Sequence, residues 1–251
     1  MNPAGATVLV TGGASGIGAS VACHLRDQGA RVWVVDRDGE ALDHCRSLAD
    51  PRGQIGWLPG DVGKPDDVDR VVAQVEAESG GIQVLINNAA VLRDQTLVSR
   101  LGKRVRQHSI VDWQETLDSN LTGTFLMTRA VATAMINARR KGLVVNVSSV
   151  VRSGNPGQSA YAATKAAVAS LTVTWAQELA PYGIRVAALS PGFVETGMTR
   201  NVPAMFLERI RSESPVGRFG TLDEFAHAIQ FIMENDYFAG RVLDLDGGLR
   251  F

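Results

Sequence analysis

The stretch from Ala6 to Gln28, ATVLVTGGASGIGASVACHLRDQ, limits the fold more than any other part of the chain. A short apolar run stops at a glycine-rich loop, residues of helical composition follow, and Gly29 supplies a stop signal. This order of strand, glycine loop and helix puts free helical N–H groups behind a turn cleared of side chains, which suits a pyrophosphate. Gly12, Gly16 and Gly18 follow a G-x-x-x-G-x-G spacing. It differs from the usual G-x-G-x-x-G fingerprint but serves the same physics. An ordinary glycine-rich turn is the competing reading, and the placement between strand and helix counts against it.

The remainder alternates in the same way. Arg31–Val35 reads as a strand ending at Asp36, followed by a helix near 39–49, a strand near 54–59, Asp61-Val62, a helix near 66–79 and the strand Ile82–Asn87. A helix from a candidate N-cap at Asp112 to about Arg139 follows, then the strand Leu143–Val147 and a helix from Ser159 to about Ala180. The strand Arg185–Leu189, a helix near 222–234 and the strand Val242–Leu245 complete the series. Such alternation predicts a parallel sheet covered on both faces, with ligands at the carboxyl ends of the strands. No linker, repeat or low-complexity tract interrupts it, so one domain over 1–251 is expected.

Two segments break the rhythm. Residues 91–111 read as a long loop rich in cations: Arg93, Arg100, Lys103, Arg104, Arg106 and His108. It is either a solvated excursion or a contact for a phosphorylated substrate handle. Residues 193–220 have weak periodicity and read as a mobile flap.

Composition excludes several classes. With 45% hydrophobic and 20% charged residues the chain is neither disordered nor fibrous. A formal charge of −1 removes the electrostatic argument for nucleic acid or membrane surfaces. No apolar run approaches about 18 residues, and the first residues lack a signal-peptide pattern. Cys23 and Cys45 are isolated, without C-x-x-C spacing, and His24, His44, His108 and His227 are scattered. A cytoplasmic protein without a metal site is expected.

Asp36 lies near the offset at which an acid accepts hydrogen bonds from the adenosine ribose and repels a 2′-phosphate. NAD is therefore expected over NADP. Arg37 next to it could bind such a phosphate, whereas Ser15 adds no basic group to the glycine loop. Asp61 is placed to accept from the adenine amino group, and Asn87-Asn88-Ala89-Ala90 at another strand end is small enough for a cofactor to approach the backbone.

Further along, Tyr161 and Lys165 are four residues apart, so on a helix they share a face. A phenol with a pKa of about 10 is a poor base at neutral pH, and a neighbouring ammonium favours the phenolate. Bringing it to about 7 takes about 4 kcal/mol, which a lysine in a partly dry cleft, helped by a cationic nicotinamide, would supply.

Taken together these motifs resemble the short-chain dehydrogenase/reductase family over essentially the whole chain. They are TGGASGIG at 11–18, the acid at 36, Asp61-Val62, NNAA at 87–90, Asn120 in SNLTG, NVSS at 146–149, YAATK at 161–165, PGFVET at 191–196 and DGG at 246–248. The resemblance implies an α/β doubly wound Rossmann-type fold with a seven-stranded parallel sheet. In it Tyr161 would exchange a proton with the substrate oxygen, and Lys165 would lower the tyrosine pKa and hold the nicotinamide ribose. Asn120 would position a water that connects Lys165 to solvent. A serine would bind the substrate oxygen. Counting back from Tyr161 points to Ser148 and aligning on the strand points to Ser149, and Ser149 is chosen because a strand end is the firmer anchor. The implied cofactor set is Gly12, Ser15, Gly16, Ile17, Gly18, Asp36, Asp61, Val62, Asn88, Tyr161, Lys165, Pro191, Val194 and Thr196.

The flavour is that of 3-oxoacyl-[acyl-carrier-protein] reductases, through GNPGQSAYAATKAAV and VGRFGT. This implies an acyl thioester substrate, with acyl carrier protein or coenzyme A meeting the basic 100–108 loop, and a homotetramer. A dehydrogenase of a polyol, sugar or steroid and a non-catalytic dinucleotide sensor are the alternatives.

Overall fold

The computed structural model describes residues 1–49, 54–194 and 204–250. Its centre is a seven-stranded parallel sheet in the order β3-β2-β1-β4-β7-β8-β9. The strands are β1 (Thr7–Thr11), β2 (Arg31–Asp36), β3 (Ile55–Pro59), β4 (Val84–Asn87), β7 (Gly142–Val147), β8 (Ile184–Pro191) and β9 (Val242–Leu245). From β1 the chain winds outwards to β2 and β3, then returns to start the other half at β4. The sheet reverses between β1 and β4, where Val8 pairs with Val84 and Val10 with Ile86. That switch point opens a crevice at the carboxyl ends of both strands.

The near-continuous apolar strands are explained by cover on both faces. Val8 and Val10 pack in one core with Val21 and Leu25 of α1 (Gly16–Asp27) and Ile229 and Met233 of α8 (Leu222–Glu234). Leu9, between them, faces the opposite core with Val71 and Val75 of α3 (Pro65–Ser79) and Met127 and Met135 of α5 (Gly123–Asn137). The period of two thus builds two cores from one strand. The other helices are α2 (Gly39–Ala49), α4 (Ile110–Leu117), α6 (Ser159–Leu179) and α7 (Ala204–Glu213).

Three expectations change. The helix expected to begin at Asp112 begins at Ile110, because Ser109 is the cap and its Oγ accepts the Asp112 N–H at 3.3 Å. That helix is interrupted by a π-helical turn at Asp118–Thr122, which separates α4 from α5. The expected loop at 91–111 contains an antiparallel hairpin, β5 (Val98–Leu101) and β6 (Arg104–Gln107), that turns at Gly102 with φ +62°. All eight strand residues of the hairpin are exposed. Of the expected flap, residues 195–203 lie outside the described residues, and the described part contains α7, whose Ile210 packs with Phe219 and Leu249.

Candidate active site

The glycine loop after β1 is shaped by close backbone contacts. Gly12 has φ +63°, and a Cβ there would lie 2.6 Å from the Ala89 Cα. A Cβ on Gly18 would run into the Gly12 carbonyl and lie 2.5 Å from Asn88 Nδ2. The end of β4 locks this turn from beside it. Asn88 Nδ2 donates to the carbonyls of Thr11 and Gly12 at 3.1 and 2.8 Å, and Thr11 Oγ accepts the N–H groups of Asn88 and Ala89 at 3.0 Å each. The first turn of α1 is left facing a cavity of about 600 Å³, lined by Gly12, Ser15, Gly16 and Ile17.

Asp36, Asp61 and Val62 line the same cavity. The Asp36 carboxylate is oriented by the N–H groups of Ala14 at 3.1 Å and Asp38 at 3.2 Å. Asp61 Oδ1 accepts the Gly63 N–H at 3.0 Å. A cradle that no β-carbon would fit, with an acid at the next strand end, suits a dinucleotide.

At the other end of the cavity stand Ser149, Tyr161, Lys165, Pro191 and Val194. Thr196 lies outside the described residues. Tyr161 and Lys165 are on α6, and Nζ sits 5.5 Å from the phenol ring centroid. Lys165 is buried, with its ammonium donating to the Val147 carbonyl at 2.8 Å. The two serines diverge because successive residues leave a strand end in opposite directions. Ser148 Oγ turns into the protein and donates to the Lys165 carbonyl at 2.8 Å, whereas Ser149 lines the cavity with Tyr161 and its Oγ accepts the Val151 N–H at 3.4 Å.

The protonation of the pair differs from the expectation that a lysine lowers the phenol. Burial is the main cause that pushes Tyr161 up to about 12, the Ser149 hydroxyl opposes it, and the charge on Asp94 adds to it. Burial also brings Lys165 down to about 8. Desolvation disfavours the charged form of each group, so the protein's own groups keep the phenol protonated at neutral pH.

Asn120 is fully buried in the π-helical turn, a feature that often marks functional sites. Its side chain clamps the backbone of Val91, accepting its N–H at 2.7 Å and donating to its carbonyl at 3.0 Å, with a longer bond to Thr164 Oγ at 3.5 Å. These bonds shape the cavity wall after β4. The Asn120 carbonyl accepts a hydrogen bond from the Thr124 hydroxyl at 2.9 Å.

Asp94 and Gln158 were not singled out from the sequence. Both line the cavity beside Tyr161, and Gln158 Nε2 donates to Asp94 at 2.9 Å. Burial raises the Asp94 pKa, and Gln158 opposes the shift. Their only sequence signal is position, one in the loop after a strand end and one just before the tyrosine helix. Among the described residues no cluster suits a metal ion, and no helix is long and apolar enough to cross a membrane.

A doubly wound sheet with a dinucleotide cradle at its switch point and a serine, tyrosine and lysine on the same cavity defines an oxidoreductase acting on CH–OH groups. The chain belongs to the short-chain dehydrogenase/reductase family, whose members use nicotinamide cofactors, and the family model described as Enoyl-(Acyl carrier protein) reductase matches residues 12–250. It is 41% identical over 249 residues to the 3-oxoacyl-[acyl-carrier-protein] reductase FabG of Thermotoga maritima, covering 98% of each chain. Over 256 residues it is 34% identical to a (3R)-3-hydroxyacyl-CoA dehydrogenase of Rattus norvegicus, covering 97% of this chain and 96% of that one. A 3-oxoacyl-[acyl-carrier-protein] reductase of Synechocystis is 36% identical over 247 residues, covering 96% of this chain and 95% of its own.

Proposed function

We propose that this chain is an NADH-dependent reductase of 3-oxoacyl thioesters that also runs in reverse on 3-hydroxyacyl thioesters. The observation that carries the reading is one cavity with Asp36 at one end and Ser149, Tyr161 and Lys165 together at the other. The nicotinamide supplies the hydride, and the protein orients the carbonyl and supplies the proton. Ser149 holds the substrate oxygen. Tyr161, protonated at neutral pH with its pKa of about 12, donates its proton to that oxygen as charge develops there. Lys165 then stabilises the phenolate, returns a proton to it and is itself reprotonated from solvent through a water that Asn120 would position. Gly12, Ser15, Gly16, Ile17, Gly18 and Asn88 hold or shape the pyrophosphate site, Asp36, Asp61 and Val62 the adenosine, and Pro191, Val194 and Thr196 the nicotinamide.

Relatives named for thioester substrates support the substrate class, and the hairpin supports a carrier. Residues 97–107 hold Arg100, Lys103, Arg104 and Arg106 and no acid. Leu97, Leu101 and Val105 among them are 71%, 71% and 62% exposed. The hairpin is rooted at the cavity mouth, where Gln95 N–H donates to the Gly157 carbonyl at 2.8 Å and Gln95 Oε1 accepts the Ser109 N–H at 2.8 Å. A basic arm with apolar side chains suits an acidic acyl carrier protein, or coenzyme A through its phosphates. The activity belongs to a single domain over 1–251, acting in the cytoplasm as a homotetramer joined through α5 and α6, where Phe125 and Val173 are exposed.

The test is kcat/KM for acetoacetyl thioesters and a free ketone, with NADH and NADPH in parallel. Thioester and NADH should be preferred, and Arg104→Gln/Arg106→Gln should raise KM more for a carrier-borne thioester than for a truncated one. A free ketone turned over equally well, together with no effect of the double variant, contradicts the reading.

A further inference from the structure

We infer that Glu115 tunes the choice between NAD and NADP at one remove, by drawing the Arg37 guanidinium away from the adenosine 2′-position. It is a positioning residue that acts through Arg37. Arg37 directly follows Asp36 at the end of β2 and lines the dinucleotide cavity beside it. It also borders a second opening, shared with Gln114 and Glu115 of α4, and its side chain is directed there. Arg37 Nη2 donates to Glu115 Oε1 at 3.2 Å. Glu115 is itself held in place by Arg93, whose Nε reaches Oε2 and whose Nη2 reaches Oε1, both at 2.9 Å. Two guanidiniums thus share one carboxylate, and the bidentate grip from Arg93 fixes where the carboxylate stands.

The consequence is electrostatic. Asp36 is anchored by the Ala14 and Asp38 N–H groups, so its negative charge stays at the strand end. A free Arg37 beside it would attract a 2′-phosphate and offset that repulsion. With Glu115 bound, Arg37 presents an ion pair in place of a lone cation, and the field at the 2′-position is dominated by Asp36. Arg93 and Glu115 are in the loop after β4 and in α4. The discrimination is therefore set from the opposite half of the sheet to the strand that carries Asp36.

This inference rests on the NADH reading above, and equilibrium binding separates the two. Calorimetric titration of the full chain with adenosine 2′,5′-bisphosphate and with 5′-AMP gives an affinity ratio for wild type, Glu115→Gln, Arg37→Ala and the double variant. The wild-type ratio tests the NADH reading by itself. Glu115→Gln should shift the ratio about fivefold towards the bisphosphate, equivalent to ~1 kcal/mol, and the shift should vanish in the Arg37→Ala background. An unchanged ratio in Glu115→Gln, or a shift that persists without Arg37, overturns the inference.

Discussion

Replacing Lys165 with methionine should make the protein more stable while abolishing its activity. Lys165 is 2% exposed, and burial brings its pKa from 10.5 down to about 8. At ~1.36 kcal/mol per unit, folding penalises the protonated lysine relative to the neutral amine by ~3 kcal/mol compared with the unfolded chain. Methionine fills a similar volume without the charge but loses the donor to the Val147 carbonyl, a loss of ~1 kcal/mol. A net gain of ~2 kcal/mol at neutral pH follows. The pH dependence carries the sign. Between about pH 8 and 10.5 the unfolded chain still binds the lysine proton and the native state has released it, so stability rises with pH. The contribution is complete above 10.5 and is lost as pH falls to about 8. Tyr161 acts oppositely at higher pH, because its phenol is raised from 10.0 to about 12 and the unfolded chain ionises first. Urea unfolding compared between wild type and Lys165→Met from pH 8 to 10 isolates the lysine. The wild-type curve should climb more steeply, by at most ~1.4 kcal/mol per pH unit. Equal slopes, or a variant less stable throughout, would refute the reasoning.

The two serines should separate by assay. Ser149→Ala should lower kcat by about 10-fold or more with little change in melting temperature, since it removes the hydroxyl proposed to hold the substrate oxygen and only a long 3.4 Å bond from the Val151 N–H. Ser148→Ala should cost ~1 kcal/mol of stability, read by denaturation, through its lost bond to the Lys165 carbonyl. Gly18→Ala places a Cβ against the Gly12 carbonyl and Asn88, so dinucleotide affinity measured by titration should fall at least tenfold. Binding as tight as wild type would show that the loop can open at no cost.

The parts of this molecule visible in its sequence are those encoded by spacing. Gly12, Gly16 and Gly18 between a strand and a helix, Asp36 at the next strand end, and Tyr161 four residues before Lys165 each fix a geometry without reference to distant residues. Alternation of strands and helices carried the sheet for the same reason. The hairpin at 98–107 escaped because neither of its faces is buried, so VSRL and RVRQ show no apolar alternation to distinguish strand from loop. The π-helical turn at Asp118–Thr122 escaped because it changes hydrogen-bond register but not composition. Asp94, Gln158 and the raised phenol of Tyr161 depend on burial set by the packed cavity. Proximity in sequence to Lys165 suggested a lowered phenol, whereas burial of the ring raises it.

The most direct test of the account is turnover of acetoacetyl-CoA with NADH by wild type and Tyr161→Phe, followed by NADH absorbance. The phenylalanine keeps the packing and removes only the proton donor. The account predicts NADH consumption by wild type and a loss of about 10²- to 10⁴-fold in kcat for the variant, with its melting temperature unchanged. Wild-type turnover by Tyr161→Phe would contradict it.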